Sequence, residues 1–78
     1  MYYFYVLKNE SDSSLYKGIT NNLNKRLFEH NQGLGKSTAS KRPYKLVYSE
    51  GYKTRNEARQ REVYFKSGCG REQLKKII

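Results

Sequence analysis

The sequence has one cysteine, no tryptophan, few acids and no long apolar run, and each shortage narrows the field. A single cysteine, Cys69, excludes an internal disulfide and a cysteine-based metal cluster. No stretch approaches the ~20 consecutive apolar residues that cross a bilayer. Tyr2 to Leu7 is apolar, but no basic residue precedes it and no small-residue cleavage site follows. It is expected to be a strand rather than a signal peptide, and the chain is expected to stay in the cytoplasm. With 78 residues, 36% of them hydrophobic, one small core is affordable. That excludes a second domain, a doubly wound nucleotide-binding sheet and an enclosed pocket for a large cofactor, so residues 1–78 are read as a single domain. No internal repeat, low-complexity tract or linker interrupts them. Acids number only seven against sixteen Lys and Arg, a net charge of +9. Such an excess concentrates the chain near a polyanion, of which nucleic acid is the commonest. A membrane partner is not expected, because it would need a basic amphipathic helix with a wide apolar face and none is found. Eight tyrosines make up the aromatic complement with three phenylalanines, and most suit core and rim packing.

Tyr2-Tyr3-Phe4-Tyr5-Val6-Leu7 is apolar on both alternating faces, which predicts a central strand covered on both sides. Asn9 to Ser14 is a polar turn cluster, and Leu15 to Thr20 reads as a second strand completing a hairpin. Gly18 within it marks a bulge or a close backbone approach. Thr20-Asn21-Asn22 supplies capping side chains for a helix from about Asn22 to Asn31, with Leu23 and Leu27 on one face and Gly33 ending it. Gly33 to Pro43 reads as an exposed, mobile basic loop. Tyr44 to Glu50 is predicted as a third strand, with Leu46 and Tyr48 on one face and Val47 on the other. Thr54 and Glu57 fit a capping box for a helix from Arg55 to about Lys66. Ser67-Gly68-Cys69-Gly70 is expected to break it, before a short helix from Arg71 to Ile78. The predicted class is α+β: a small three-stranded antiparallel sheet flanked by three helices, in the order β-β-α-β-α-α.

Polar residues in apolar positions carry the functional signal. Ala58, Glu62 and Phe65 share one stripe of the second long helix, so the Glu62 carboxylate points toward the sheet or its edge. It is either half of a structural ion pair or a ligand for a cation whose remaining ligands are phosphate and water. Arg26 and His30, four apart on the first helix, flank the Leu23/Leu27 stripe, as surface charge with a boundary histidine or as a pair addressing a phosphate. Tyr5 and Tyr16 face each other across the hairpin. Each is a packing residue or a phenol whose pKa a nearby positive charge lowers, fit to orient water or take its proton.

Taken together, Tyr3-Phe4-Tyr5, Tyr16-Lys17-Gly18, Arg26 ten residues after Tyr16, His30, and Arg61-Glu62 resemble the GIY-YIG nuclease superfamily. Arg42-Pro43-Tyr44-Lys45-Leu46-Val47-Tyr48 and Asn56-Glu57-Ala58 resemble its small single-domain bacterial proteins. Tyr3 stands where the first motif has glycine, and Lys17 where the second has an aliphatic residue. The resemblance covers nearly the whole chain. It implies one-metal hydrolysis of DNA phosphodiesters, leaving a 5′ phosphate and a 3′ hydroxyl. Glu62 would hold one Mg²⁺ or Mn²⁺. Tyr16 would act as general base or water-orienting group, sharing that task with Tyr5. Arg26 would neutralise developing charge, and His30 would hydrogen-bond a tyrosine or the phosphate. Lys17, Gly18, Lys25, Lys36, Lys41 and Arg42 are expected to track the DNA backbone without reading sequence. Branched DNA, single-stranded DNA, damaged duplex and RNA all stay open as substrates, and a recruiting protein is a further candidate partner. The competing readings are a non-catalytic nucleic-acid-binding module, a nuclease active only with a partner, and a buried polar network with a purely structural role.

Overall fold

The computed structural model describes residues 1–10, 12–32 and 43–78. Its elements run β1 (Tyr2–Asn9), β2 (Leu15–Thr20), α1 (Leu23–Asn31), β3 (Tyr44–Tyr52), α2 (Arg55–Lys66) and α3 (Gly68–Ile77). The three strands form one antiparallel sheet in the order β2-β1-β3, with the predicted two-faced strand at its centre. Alternation along β1 divides the core into two layers. Phe4 and Val6 join Phe65 of α2 and Leu74 of α3, with Ile19, Val47, Tyr48 and Tyr64 around them. The Phe4 and Phe65 rings stack at 5.0 Å and 8°. Tyr5 and Leu7 face the other way and join Tyr44, Tyr16 and the Leu23/Leu27 stripe of α1. Burying each large apolar side chain contributes about 1.5–3 kcal/mol.

The hairpin turn satisfies its own backbone. Asn9 N–H donates to Ser14 O at 2.8 Å, Asp12 N–H to Asn9 Oδ1 at 2.9 Å, and Ser14 N–H to Asp12 Oδ1 at 2.9 Å. Asn22 caps α1, its Oδ1 accepting from Lys25 N–H at 3.1 Å. At the other end Asn31 clasps the first residue of β3: its Oδ1 accepts from Tyr44 N–H at 2.7 Å and its Nδ2 donates to Tyr44 O at 3.0 Å. This pair of hydrogen bonds fixes α1 over the Tyr5 face. The α1 cap is Gln32; the predicted terminator Gly33, and the predicted loop up to Arg42, lie outside the described residues.

Two local expectations give way. β3 extends to Tyr52, and a bulge interrupts its alternation: Val6 pairs with Tyr48 and Leu7 with Leu46, leaving Val47 as the extra residue. Val47 and Tyr48 therefore pack on the same layer, and Leu46 is 38% exposed. The last helix begins at Gly68, not Arg71. The break is the single residue Ser67, whose N–H donates to Tyr64 O at 3.0 Å while its Oγ accepts from Gly70 N–H at 3.3 Å. Gly70 does not interrupt a helix. It lets α3 press on α2, since a Cβ there would lie 2.0 Å from Tyr64 O and 2.6 Å from Phe65 Cα. The Thr54 cap holds as predicted, with Glu57 N–H donating to Thr54 Oγ1 at 3.3 Å. Instead of reaching back to the backbone, the Glu57 carboxylate accepts the Thr54 hydroxyl at 2.9 Å.

A hub ties β3 to α2. The Glu50 carboxylate accepts from Arg61 Nε at 2.9 Å and Arg61 Nη2 at 3.1 Å, from Tyr52 Oη at 2.9 Å, and from Tyr48 Oη. Burial alone would raise the Glu50 carboxyl, and these donors more than reverse it and hold it below its ordinary value. Among the described residues no helix is long and apolar enough to cross a membrane.

Candidate active site

The Tyr5 face of the sheet gathers four of the five residues assigned to catalysis from sequence. Tyr5, on the central strand, is 2% exposed. Its Oη accepts a hydrogen bond from Arg26 Nε at 3.3 Å and shares another with His30 Nε2 at 3.1 Å. Arg26 and His30 reach it because four residues bring them one above the other on α1. Tyr16, on β2, completes the cluster, its ring 4.7 Å from that of His30 and 6.3 Å from that of Tyr5. The strand register explains the convergence. Tyr5 lies opposite Gly18 and Leu7 opposite Tyr16, so Tyr16 is the diagonal neighbour of Tyr5 on the same face. Gly18 leaves the space that the Tyr5 phenol occupies: a Cβ there would stand 2.7 Å from Tyr5 Oη and 2.9 Å from Cζ.

The electrostatics depart from expectation at Tyr5. Positive charge beside a phenol lowers its pKa, but burial is the larger effect, and the Tyr5 phenol is pushed up to about 12 against the Arg26 hydrogen bond. It stays protonated at neutral pH. His30, 1% exposed, moves the other way, since burial first and the Arg26 charge second hold its imidazole below the ordinary value and neutral. With Arg26 donating to the phenol oxygen, the phenol proton is directed at His30 Nε2 when the ring carries its own proton on Nδ1. The Arg26 guanidinium is held charged chiefly by its bond to Tyr5, against burial, with Tyr16 and Glu29 adding to it.

Glu62 comes from α2, in the layer on the opposite face of the sheet. Its side chain is 17% exposed and accepts from Lys66 Nζ at 3.2 Å, so the structural ion pair foreseen for it does form. Its charge is also felt by the Tyr5 phenol, as the smallest of the influences on that group. Among the described residues no three His, Cys, Asp or Glu side chains stand together as a metal-binding group. Lys17 points away from the tyrosines; burial, then Arg71 and Lys66, lowers its pKa. Lys25 is exposed on α1, and Lys36, Lys41 and Arg42 lie outside the described residues.

Next to the tyrosine cluster lies an open cleft of about 420 Å³, lined by Tyr2, Ile19, the turn Thr20 to Asn22, Lys25, Arg26 and Glu29 of α1, and Arg55 of α2. Sequence reasoning left out Glu29 and Arg55. Glu29 pairs with Arg26 at 3.4 Å, an i, i+3 relation readable from the helix alone. Arg55 joins residues of β1, β2 and α1 in lining the cleft only through the fold, which no local pattern announces.

A family model of the GIY-YIG catalytic domain matches residues 1–75. The chain belongs to the GIY-YIG family. Its similarity extends to a UPF0213 protein of Bacillus pumilus, 52% identical over 67 residues, which are 85% of this chain and 67% of that protein. A UPF0213 protein of Clostridium perfringens is 46% identical over 78 residues, 99% of this chain and 83% of that one. The solution NMR structure of a UPF0213 protein from Bacillus halodurans is similar with a TM-score of 0.58 and 32% identity, across 99% of this chain and 85% of that chain. GIY-YIG proteins form a nuclease superfamily, and the tyrosine cluster of this GIY-YIG chain is built from its two motif strands.

Proposed function

We propose that this GIY-YIG chain is a metal-dependent endonuclease that hydrolyses DNA phosphodiester bonds. The observation that carries the reading is the Tyr5 phenol held between the Arg26 guanidinium and the His30 imidazole, with Tyr16 beside them. Arg26 is assigned to the non-bridging phosphate oxygens, where a fixed donor typically contributes about 3–4 kcal/mol. Tyr16, half-buried at the rim of the cluster, is assigned to orient the attacking water or, as a phenolate that has given its proton to solvent, to accept the water's proton. Tyr5, protonated, acts as a positioning residue that fixes the direction of Arg26. His30 in turn fixes Tyr5 and is buried against the tyrosines.

Among the described residues, Glu62 offers a divalent ion a single hard carboxylate with no accompanying cluster, which suits Mg²⁺ or Mn²⁺ completed by water and substrate phosphate and does not suit an ion needing several protein ligands. Bound there, such an ion supplies Lewis acidity and stabilisation of the leaving oxygen. Lys66 must then release the carboxylate.

The Lys66 pair favours a second reading, a non-catalytic DNA-binding module in which Glu62 is only structural. A plasmid-nicking assay with Mg²⁺ or Mn²⁺ separates the two. Tyr16→Phe, Arg26→Ala and Glu62→Ala are expected to lose metal-dependent cleavage, by about 100-fold or more for Arg26→Ala, while melting like folded proteins. Parental cleavage by Glu62→Ala removes the metal assignment, and no cleavage by the parent protein leaves the binding module.

A further inference from the structure

We propose that the cleft between the starts of α1 and α2 is a second phosphate site, which holds the DNA backbone next to the linkage addressed by the tyrosine cluster. The nature of the strand rests on the nuclease reading above; the site itself rests on its own geometry. The turn from Thr20 to Asn22, Lys25 and Arg26 of α1, and Arg55, the first residue of α2, line the cleft together. Arg26 belongs to both places, because the side chain that lines the cleft also donates from Nε to Tyr5 Oη at 3.3 Å. An anion in the cleft is therefore a neighbour of any phosphate at the tyrosines. Charge in the cleft is unbalanced. Arg26 has Glu29 at 3.4 Å, whereas Lys25 and Arg55 are exposed and form no ion pair among the described residues. Two cations from separate helices that line one cleft without an ion-pair partner among the described residues attract an anion and gain from its arrival. A volume of about 420 Å³ takes a phosphate with its sugar, and Tyr2 also belongs to the lining.

Binding of a labelled DNA strand, measured by fluorescence anisotropy in EDTA over a series of salt concentrations, tests the site. Each phosphate contact contributes about 0.7–0.9 to the slope of log K against log salt. Arg55→Ala and Lys25→Ala are each expected to lower the slope by that amount, and the double variant by about twice as much. Across a fourfold rise in salt, each single variant then loses about threefold less affinity than the parent. Arg59→Ala removes an equal charge from an exposed position of α2 outside the cleft and is expected to leave the slope unchanged. Parental slopes in both cleft variants overturn the proposal, as does an equal fall for Arg59→Ala. Inorganic phosphate is the second probe: if it cancels the Arg55-dependent part of binding at concentrations where a deoxynucleoside monophosphate does not, the cleft is a free-phosphate site and the strand assignment fails. Nicking by the parent with unaltered slopes sinks the cleft alone, and altered slopes without nicking sink the nuclease reading alone.

Discussion

Gly18→Ala probes the arrangement at its tightest point. An added Cβ would meet Tyr5 Oη at 2.7 Å, Tyr5 Cζ at 2.9 Å and Tyr16 Cε1 at 3.2 Å, whereas ordinary van der Waals contact begins at 3.4 Å. The phenol must retreat by at least about 0.7 Å. It has little room, because Tyr5 is 2% exposed and its oxygen is bracketed by Arg26 Nε at 3.3 Å and His30 Nε2 at 3.1 Å. Overpacking of this kind costs about 1–3 kcal/mol. For a chain of this size that is a fall in Tm of roughly 4–24 °C. Misplacement of a catalytic group by nearly 1 Å costs about 100-fold in rate. The assay is nicking beside a thermal melt, with Gly68→Ala as control: nothing lies within 4 Å of a Cβ there, so parental cleavage and an equal or slightly higher Tm are expected. Parental cleavage and Tm in Gly18→Ala would refute the argument that backbone proximity at this glycine sets the direction of Arg26.

Gly70→Ala is expected to be worse for stability than Gly18→Ala, because its Cβ meets the backbone of α2 at 2.0 Å and a helix must move instead of a side chain. A chemical denaturation curve should show a loss above about 3 kcal/mol; a loss below that of Gly18→Ala contradicts the close helix approach. Acid should weaken the fold in two windows. His30 has a folded pKa below 6.5, so the unfolded chain takes up the proton first and stability declines as pH falls below 6.5. Glu50 has a folded pKa below 4.5, so the stability contributed by its donors is complete above 4.5 and is lost as pH falls through it. Glu50→Gln should remove the lower window at a cost of about 2 kcal/mol at neutral pH, read from melts over a pH series. An unchanged acid limb in that variant would show that the hub contributes nothing to it.

Much of this was legible because it is periodic. The two-faced run of β1 announced a central strand, and spacings of four announced that Arg26 and His30 share a border of α1. Thr54 and Asn22 marked helix starts by their chemistry. What escaped was non-local or balanced between opposing effects. Val47 alternates properly in sequence, but the bulge that turns it is decided by pairing with β1. Gly68 to Gly70 read as a breaker because glycine disfavours helix, yet close packing on Tyr64 and Phe65 needs a residue without a side chain. The Glu50 hub and the Arg55 wall of the cleft join positions distant in sequence. At Tyr5 the lowering expected from nearby positive charge is outweighed by a depth of burial that no local pattern shows.

The central strand sets foundation and chemistry in alternate steps. Phe4 and Val6 anchor one layer while Tyr5 faces the other, each only one residue from its opposite. Inserting a single residue ahead of Phe4 would turn every later side chain of the strand over, sending a phenol into hydrocarbon and a phenylalanine toward the guanidinium. Reaction machinery and structural support in this protein therefore cannot drift independently, and its variation must come from the turns and helix ends that frame the strand.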